Sequence, residues 1–168
     1  MCIRDSYEEN MKAEALAILE KAKSIGCNIL LPTDFTTVTE IQHDAQIQIT
    51  PAAAVPTGRM AIDIGPETIT KIEQALKTCK TVLWNGPMGV FEIKPFDTGT
   101  NAVATLVANK TASGQITSVA GGGDTVAALE NAGAAKHFTY ISTAGGAFLE
   151  WIEGKTLPGV AALMQPEK

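Results

Sequence analysis

The hydrophobic positions of this chain switch repeatedly between a helical and a strand-like spacing. Apolar residues at intervals of three and four over residues 8–25 predict an amphipathic helix, and Gly26 is placed to end it. The apolar run 27–31, stopped by Pro32, predicts a buried strand. Alternation at Ile47 and Ile49 predicts a short strand. Further strands are predicted at 60–64, 80–84, 115–119 and 139–142, and helices after Gly65, over 98–109, after Gly123, over 148–153 and near the carboxyl terminus.

Strands and helices therefore alternate along most of the chain. This order is typical of an α/β protein with a parallel sheet and right-handed crossovers. We expect a three-layer αβα, Rossmann-like arrangement, with helices on both faces of the sheet. Ligands of such sheets bind beyond the carboxyl ends of the strands, so the connections that follow the strands are where chemistry is expected.

Composition narrows the classes of function. The 168 residues are 45% hydrophobic and 18% charged, with a net charge of −5. An acidic chain disfavours a nucleic-acid surface, which needs a basic stripe. No apolar run is long enough to span a membrane, and we expect no signal peptide. The three cysteines are widely spaced and odd in number, which argues against a disulfide framework and for reduced thiols in a cytoplasmic protein.

Residues 1–6 follow no clear period and do not merge with the helical pattern after them. They resemble translated sequencing adapter at the edge of an assembled read. We therefore expect residues 1–6 to be an artefact and residues 7–168 to be part of a domain from a longer protein.

The most distinctive stretch is the three-glycine turn at 121–125, between a predicted strand and a predicted helix. Glycine allows a sharp turn and close approach of a ligand, and the N–H groups of the first helical turn, with the helix dipole, favour an anion. Asp124 is open to two interpretations. It is either the N-cap of an ordinary corner or the partner of a cation, as in a magnesium-bound nucleotide.

Two other unusual connections, 85–92 and 143–146, follow strands at the same predicted edge. The second offers another helix N-terminus, and two such ends facing one space would stabilise a phosphoryl group in transfer. Glu92 is either an acceptor for ribose hydroxyls or a solvated surface residue. Asn85 is either a ligand with both donor and acceptor groups or a turn residue in an Asn-Gly step.

Other nucleotide and catalytic motifs are missing. The sequence has no GxGxxG followed by an acidic residue, no Walker A lysine, and no Ser-His-Asp, metalloprotease or CxxC arrangement. A Rossmann dehydrogenase is therefore disfavoured. A non-catalytic nucleotide-binding or structural remnant stays open as an alternative.

Five segments together resemble the carboxyl-terminal part of the phosphoglycerate kinase family. They read VLWNGPMGVFE at 82–92, GGGDT at 121–125, ISTAGGAFLE at 141–150, EGKTLPGV at 153–160 and DIGP at 63–66. The resemblance runs from about residue 7 to 163. It implies phosphoryl transfer between 1,3-bisphosphoglycerate and ADP to give 3-phosphoglycerate and MgATP in glycolysis, by a monomer of two domains that close on each other.

The resemblance also implies roles for individual residues. Glu92 would bind the ribose, and Asp124 would lie beside magnesium. The phosphates would be lined by Gly122, Gly123, Asp124 and Thr125, and the nucleotide would be flanked by Asn85 and Gly86. The phosphoryl group in transfer would be bound by Gly122, Gly145 and Gly146.

Two departures from the family are visible. Ala144 stands where the family usually has a third glycine, which we expect to be tolerated unless that position needs a positive φ. We also expect the amino-terminal domain that would bind the triose phosphate, and the first strands of the nucleotide domain, to lie outside this chain. We therefore expect little or no turnover from this chain, and an exposed apolar edge and face.

Overall fold

The computed structural model describes residues 2–3, 9–142 and 145–164. These residues form two compact units. Unit 1 contains the described residues up to Thr78 together with Met88–Val103, and unit 2 contains Cys79–Pro87 and the described residues from Ala104 onward.

Unit 1 is built on an antiparallel sheet of four strands. In chain order these are β1 (Cys2–Ile3), β2 (Asp34–Val38), β3 (Gln48–Pro51) and β4 (Met60–Ile64), and they lie side by side in the order β1-β4-β2-β3. Helix α1 (Lys12–Ser24) follows a 3₁₀ turn at Glu9–Met11, and helix α2 (Pro66–Leu76) follows β4. Val38, Ile62 and Phe96 form a buried apolar cluster in this unit.

The junction of β2 with α2 shows why these elements form where they do. Pro66 begins α2 at a position where its missing N–H costs nothing. The carboxylate of Asp34 accepts hydrogen bonds from the N–H groups of Glu67 (3.0 Å) and Thr68 (2.8 Å) and from Oγ1 of Thr68 (2.7 Å). Burial disfavours the ionised carboxyl, but the hydrogen bonds from Thr68 and Glu67 outweigh it and lower the pKa of Asp34.

Unit 2 contains the parallel sheet. Its strands are β5 (Thr81–Asn85), β6 (Thr117–Gly121) and β7 (Tyr140–Ser142), in that spatial order. Helix α3 (Thr98–Ala112) crosses from unit 1 into unit 2 at Val103, and α4 (Gly123–Asn131), α5 (Gly145–Ile152) and α6 (Pro158–Leu163) follow. Oγ1 of Thr111 lies 2.9 Å from Oγ of Ser118, which joins α3 to the covered face of the sheet.

The α/β fold class with a parallel sheet is confirmed, and β4 to β7 lie within a few residues of their predicted positions. The strand predicted at 27–31 is wrong, because this segment makes no sheet pairing with the described residues. Strand β2 was not predicted, and its antiparallel pairing with both β3 and β4 gives unit 1 a sheet of a different kind from unit 2.

Helix α1 forms where the apolar spacing predicted it, but most of its apolar stripe is not covered. Ala22 is buried, whereas Ile18 and Ile25 are 53% and 70% exposed. Gly26 follows the helix with φ +71°, as expected of a residue that ends a helix. Among the described residues, no helix is both long and apolar enough to cross a bilayer.

Candidate functional site

The carboxyl ends of the three parallel strands lie level with one another. Asn85 at the end of β5 is in register with Gly121 at the end of β6, and Gly121 is in register with Ser142 at the end of β7. The connections that leave these strands therefore start from one edge of the sheet, as the sequence predicted for three glycine-containing segments. This edge is where ligands of parallel α/β sheets bind.

The turn between β6 and α4 depends on Gly122. Its φ of 102° and ψ of 142° lie in a region that residues with a Cβ rarely adopt. Its N–H donates to the carbonyl of Ser142 (3.3 Å), and its carbonyl accepts from the N–H of Val126 (3.0 Å). Gly122 is the N-cap and has no side chain to cap the helix. Among the described residues, therefore, no side chain caps α4, and its first-turn N–H groups can bind an anion.

Asp124 lies inside α4, in its first turn, and is exposed. The interpretation of Asp124 as N-cap is therefore wrong, because Gly122 occupies that position. Within the described residues, no group of three or more His, Cys, Asp or Glu side chains is arranged to hold a metal. A lone carboxylate fits magnesium only where phosphates and water supply the other oxygen ligands.

The Asn85-Gly86 turn is fixed from both sides. The indole N–H of Trp84 donates to the carbonyl of Gly86 (2.5 Å), and the N–H of Gly86 donates to Oγ1 of Thr125 (2.7 Å). Trp84 itself is buried and packs edge-on against Phe138, with 6.1 Å between ring centroids. Thr125 is 1% exposed, so its hydroxyl acts as a link between two connections at the sheet edge.

Asn85 and Gly145 approach the Gly122 turn from its two neighbouring strands. A Cβ built on Gly122 would lie 3.3 Å from Oδ1 of Asn85. A Cβ on Gly145, the first residue of α5, would collide with the Cα and nitrogen of Gly122. Gly146 is exposed, with open space where a Cβ would stand. The structure thus brings Asn85, Gly86, Gly122, Gly123, Asp124, Thr125, Gly145 and Gly146 to the carboxyl edge of the unit 2 sheet.

Glu92 belongs to unit 1, in the segment 88–92, which we call the strap. The N–H of Met88 donates to Oγ1 of Thr100 (3.1 Å), and the N–H of Val90 donates to the carbonyl of Ile62 (3.0 Å). Glu92 follows these two anchors and is exposed. Its expected role at the ribose stays a prediction. Thr143 and Ala144 lie outside the described residues, and with them the departure at Ala144.

The burial of Asp63 was not predicted from the sequence. It is 3% exposed near the end of β4. Burial raises its pKa to about 6, although the N–H groups of Gly99 and Ile64 donate to it, and the charge of Asp97 adds to the rise. The sequence does contain a signal for this burial, because Asp63 stands between Ile62 and Ile64 in an otherwise apolar strand. Asp side chains are rarely fully buried unless they are paired.

The fold and the edge geometry define an α/β protein with glycine turns at the carboxyl ends of parallel strands. Comparison with known proteins gives a specific relationship. The family model described as phosphoglycerate kinase matches residues 2–155. The chain belongs to the phosphoglycerate kinase family.

Individual relatives agree with this assignment. Phosphoglycerate kinase of Rhodospirillum centenum is 56% identical over 156 residues, which cover 93% of this chain and 39% of the relative. The corresponding protein of Ruegeria pomeroyi is 52% identical over 158 residues. The structure of phosphoglycerate kinase from Coxiella burnetii matches with a TM-score of 0.85 at 38% identity, over 93% of this chain and 39% of that one. The chain therefore spans about two fifths of the length of the relatives it matches.

Proposed function

We propose that this chain is the nucleotide-binding part of a phosphoglycerate kinase. The whole protein would transfer a phosphoryl group from the carboxyl phosphate of 1,3-bisphosphoglycerate to ADP, giving 3-phosphoglycerate and ATP in glycolysis. The observation that carries the proposal is the meeting of three turns, with Gly122 and Gly145 in contact, at the carboxyl edge of the parallel sheet. Membership of the family supports it.

The proposed roles follow from positions in the fold. The open N–H groups at the start of α4, with Gly122, Gly123 and Thr125, would hold the nucleotide phosphates. Gly145 and Gly146 at the start of α5, together with Gly122, would stabilise the phosphoryl group in transfer. Asn85 and Gly86 would flank the nucleotide, and Glu92 would bind its ribose. Because Thr125 is buried, its part is to fix the Gly86 turn through its hydroxyl.

Magnesium is part of the proposal. Asp124 is exposed in the first turn of α4 and is the residue that would hold the ion. Bound there, magnesium would neutralise charge on the nucleotide phosphates. The carboxylate would place the ion next to the helix N–H groups, which bind the phosphates themselves.

The triose phosphate would be bound by the part of the relatives that this chain does not match. Holding two substrates in position supplies ~7–11 kcal/mol of a barrier. We therefore propose that the isolated chain binds MgADP weakly and shows little or no turnover. The whole protein would be a cytoplasmic monomer, and the cytoplasmic location agrees with the reduced thiol of Cys27.

Calorimetric titration of the purified chain with MgADP tests the nucleotide site. We expect weak binding that is lost in Asp124→Ala, whereas Glu130→Ala, which removes an exposed acid at the other end of α4, should retain it. Tight binding of NAD would contradict the proposal, and no binding of either ligand would favour a structural remnant. A coupled assay with 1,3-bisphosphoglycerate tests the second claim. Turnover in the ordinary enzyme range of ~1–10³ s⁻¹ would overturn it.

A further inference from the structure

The carboxylate of Asp63 sits in the interior of unit 1 and takes no part in the proposed nucleotide site. Burial of an ionisable group costs free energy unless the group is hydrogen-bonded, and the raised pKa of Asp63 shows that its hydrogen bonds do not fully offset burial. A carboxyl group retained at such a cost is a candidate for a specific task.

Two glycines make room for this carboxylate. A Cβ on Gly89, in the strap, would lie 2.5 Å from Oδ1 and 2.6 Å from Cγ of Asp63. A Cβ on Gly99, in the first turn of α3, would collide with the same carboxylate and with Ile64. Neither glycine has a positive φ. They are therefore needed for the space they leave, and the backbones of the strap and of α3 pack directly on Asp63.

Hydrogen bonds hold the carboxylate in this position. The N–H of Gly99 donates to Oδ2 of Asp63 (2.6 Å), and the N–H of Ile64 donates to Oδ1 (2.8 Å). On either side of Gly89, the strap is anchored at Met88 on Thr100 and at Val90 on Ile62. Both anchor residues flank the Asp63 site, since Thr100 follows Gly99 and Ile62 precedes Asp63.

We propose that Asp63 is a positioning residue that fixes the strap against β4 and α3 and thereby sets the position of Glu92. The carboxylate fills the space that Gly89 and Gly99 leave and ties the start of α3 to the end of β4. That this matters for nucleotide binding rests on the proposed function of Glu92. The proposed effect of Asp63 on the position of the strap does not depend on that function.

The surroundings of Asp63 make its charge state measurable. Its partner in register on β2 is Thr36, which is uncharged, and the strap and α3 face it with the backbones of Gly89 and Gly99. The charged group that acts on it is Asp97, which precedes α3. Both oxygens of the ionised form accept hydrogen bonds, one from Gly99 and one from Ile64. Because the carboxylate also packs against the backbone of Gly89, its change of charge near pH 6 should shift the amide resonances of the strap.

Asp34 provides a matched control. It is also a 3% exposed carboxylate, it also packs on a glycine, Gly65, and it also accepts hydrogen bonds from the first turn of a helix. Its contacts are with α2 and not with the strap. Asp34→Asn therefore neutralises a buried, hydrogen-bonded carboxylate in the same unit without acting on the strap.

The test is a pH titration of the backbone amide resonances of the full chain by nuclear magnetic resonance. We expect the amides of Gly89, Val90 and Glu92 to shift together with one midpoint near pH 6. This shared transition should vanish in Asp63→Asn and persist in Asp34→Asn. Strap amides that do not titrate in the unaltered chain, or that titrate unchanged in Asp63→Asn, overturn the proposal. If Asp63→Asn fails to fold, the unaltered chain still overturns the proposal when its strap amides do not titrate near pH 6.

A second arm separates this proposal from the proposed function. MgADP affinity should fall by about tenfold in Asp63→Asn at pH 7.5 and stay near the original value in Asp34→Asn, because a displaced Glu92 would no longer meet the ligand. If the chain binds no MgADP while the strap amides titrate as expected, the nucleotide proposal fails and the positioning of the strap stands. Equal loss of affinity in both variants would overturn the link from Asp63 to the ligand.

Discussion

Gly145 packs its Cα directly against Gly122, so the first residue of α5 touches the turn that opens α4. A Cβ at Gly145 would come within 2.6 Å of the Gly122 nitrogen. Two helix N-termini can approach this closely only where neither turn carries a side chain at the contact. The pair therefore brings the N-termini of α4 and α5 close together, which a single glycine turn could not do.

Gly145→Ala should separate the two turns. We expect a loss of unfolding free energy of about 1–3 kcal/mol, because the added methyl meets backbone that cannot move aside cheaply. MgADP binding should weaken in parallel. Gly146→Ala is the control, since open space surrounds its position and a helical Ala is favoured over Gly. Urea unfolding of both variants measures the difference, and equal stability of the two would contradict the close packing.

Thr125→Val should release the Asn85-Gly86 turn. The substitution keeps the side-chain shape but removes the oxygen that accepts the N–H of Gly86 at 2.7 Å. A buried N–H left without its partner costs about 1–3 kcal/mol. Thr125→Ser keeps the hydroxyl and should retain more of the stability. Urea unfolding with and without MgADP checks this, and a valine variant as stable as the serine variant would argue against the link.

The pH dependence of stability should carry a contribution of definite sign from Asp63. Its pKa is raised from 3.8 to about 6 in the folded chain, so its contribution to stability is full below pH 3.8 and is lost as the pH rises through 6. The rise corresponds to roughly 3 kcal/mol across that window, as an order of magnitude. Unfolding free energies from urea titrations between pH 4 and 8 should show this fall, and Asp63→Asn should remove it.

Asp34 should act in the opposite direction. Its pKa is lowered in the folded chain, so its stabilisation is present above pH 3.8 and is lost as the pH falls through the folded value. Asp34→Asn should therefore reduce the unfolding free energy at neutral pH. It should also make the unfolding free energy fall less steeply as the pH is lowered into the acid range. An unchanged acid limb in this variant would show that the hydrogen bonds from Thr68 and Glu67 do not favour the ionised form.

The sequence was most informative where one local rule determines the outcome. Strands β4 to β7 and the glycine turn at Gly122 follow from apolar runs and from backbone freedom, which depend on neighbouring residues only. The segment 27–31 has the composition of a strand, yet a strand exists only where a second strand pairs with it. Local pattern cannot show whether that partner is present.

The contacts within the candidate site could not be predicted from a sequence pattern. Thr125 and Gly86 are 39 residues apart, and Asp63 and Gly99 are 36 apart. Such contacts depend on how the elements pack, and no motif spacing encodes them. Asp63 and Gly89 illustrate the consequence, because each looks ordinary by itself and only their juxtaposition explains why one is a buried acid and the other a glycine.

The uncovered stripe on α1 should make the chain associate with itself. Ile18 and Leu19, which lie on this stripe, are 53% and 38% exposed, and exposed apolar patches favour association. The double variant Ile18→Glu with Leu19→Glu should shift the chain toward monomer in sedimentation velocity, with unfolding free energy changed by no more than about 0.5 kcal/mol. Ala13→Glu with Ala17→Glu adds the same charge to exposed positions of the same helix and is the matched control.

If both pairs of substitutions dissociate the chain equally, the added net charge is responsible and the apolar stripe is not. If neither pair changes the sedimentation of a self-associating chain, the contact lies elsewhere. A loss of association confined to the Ile18 and Leu19 pair would assign it to the apolar stripe of α1.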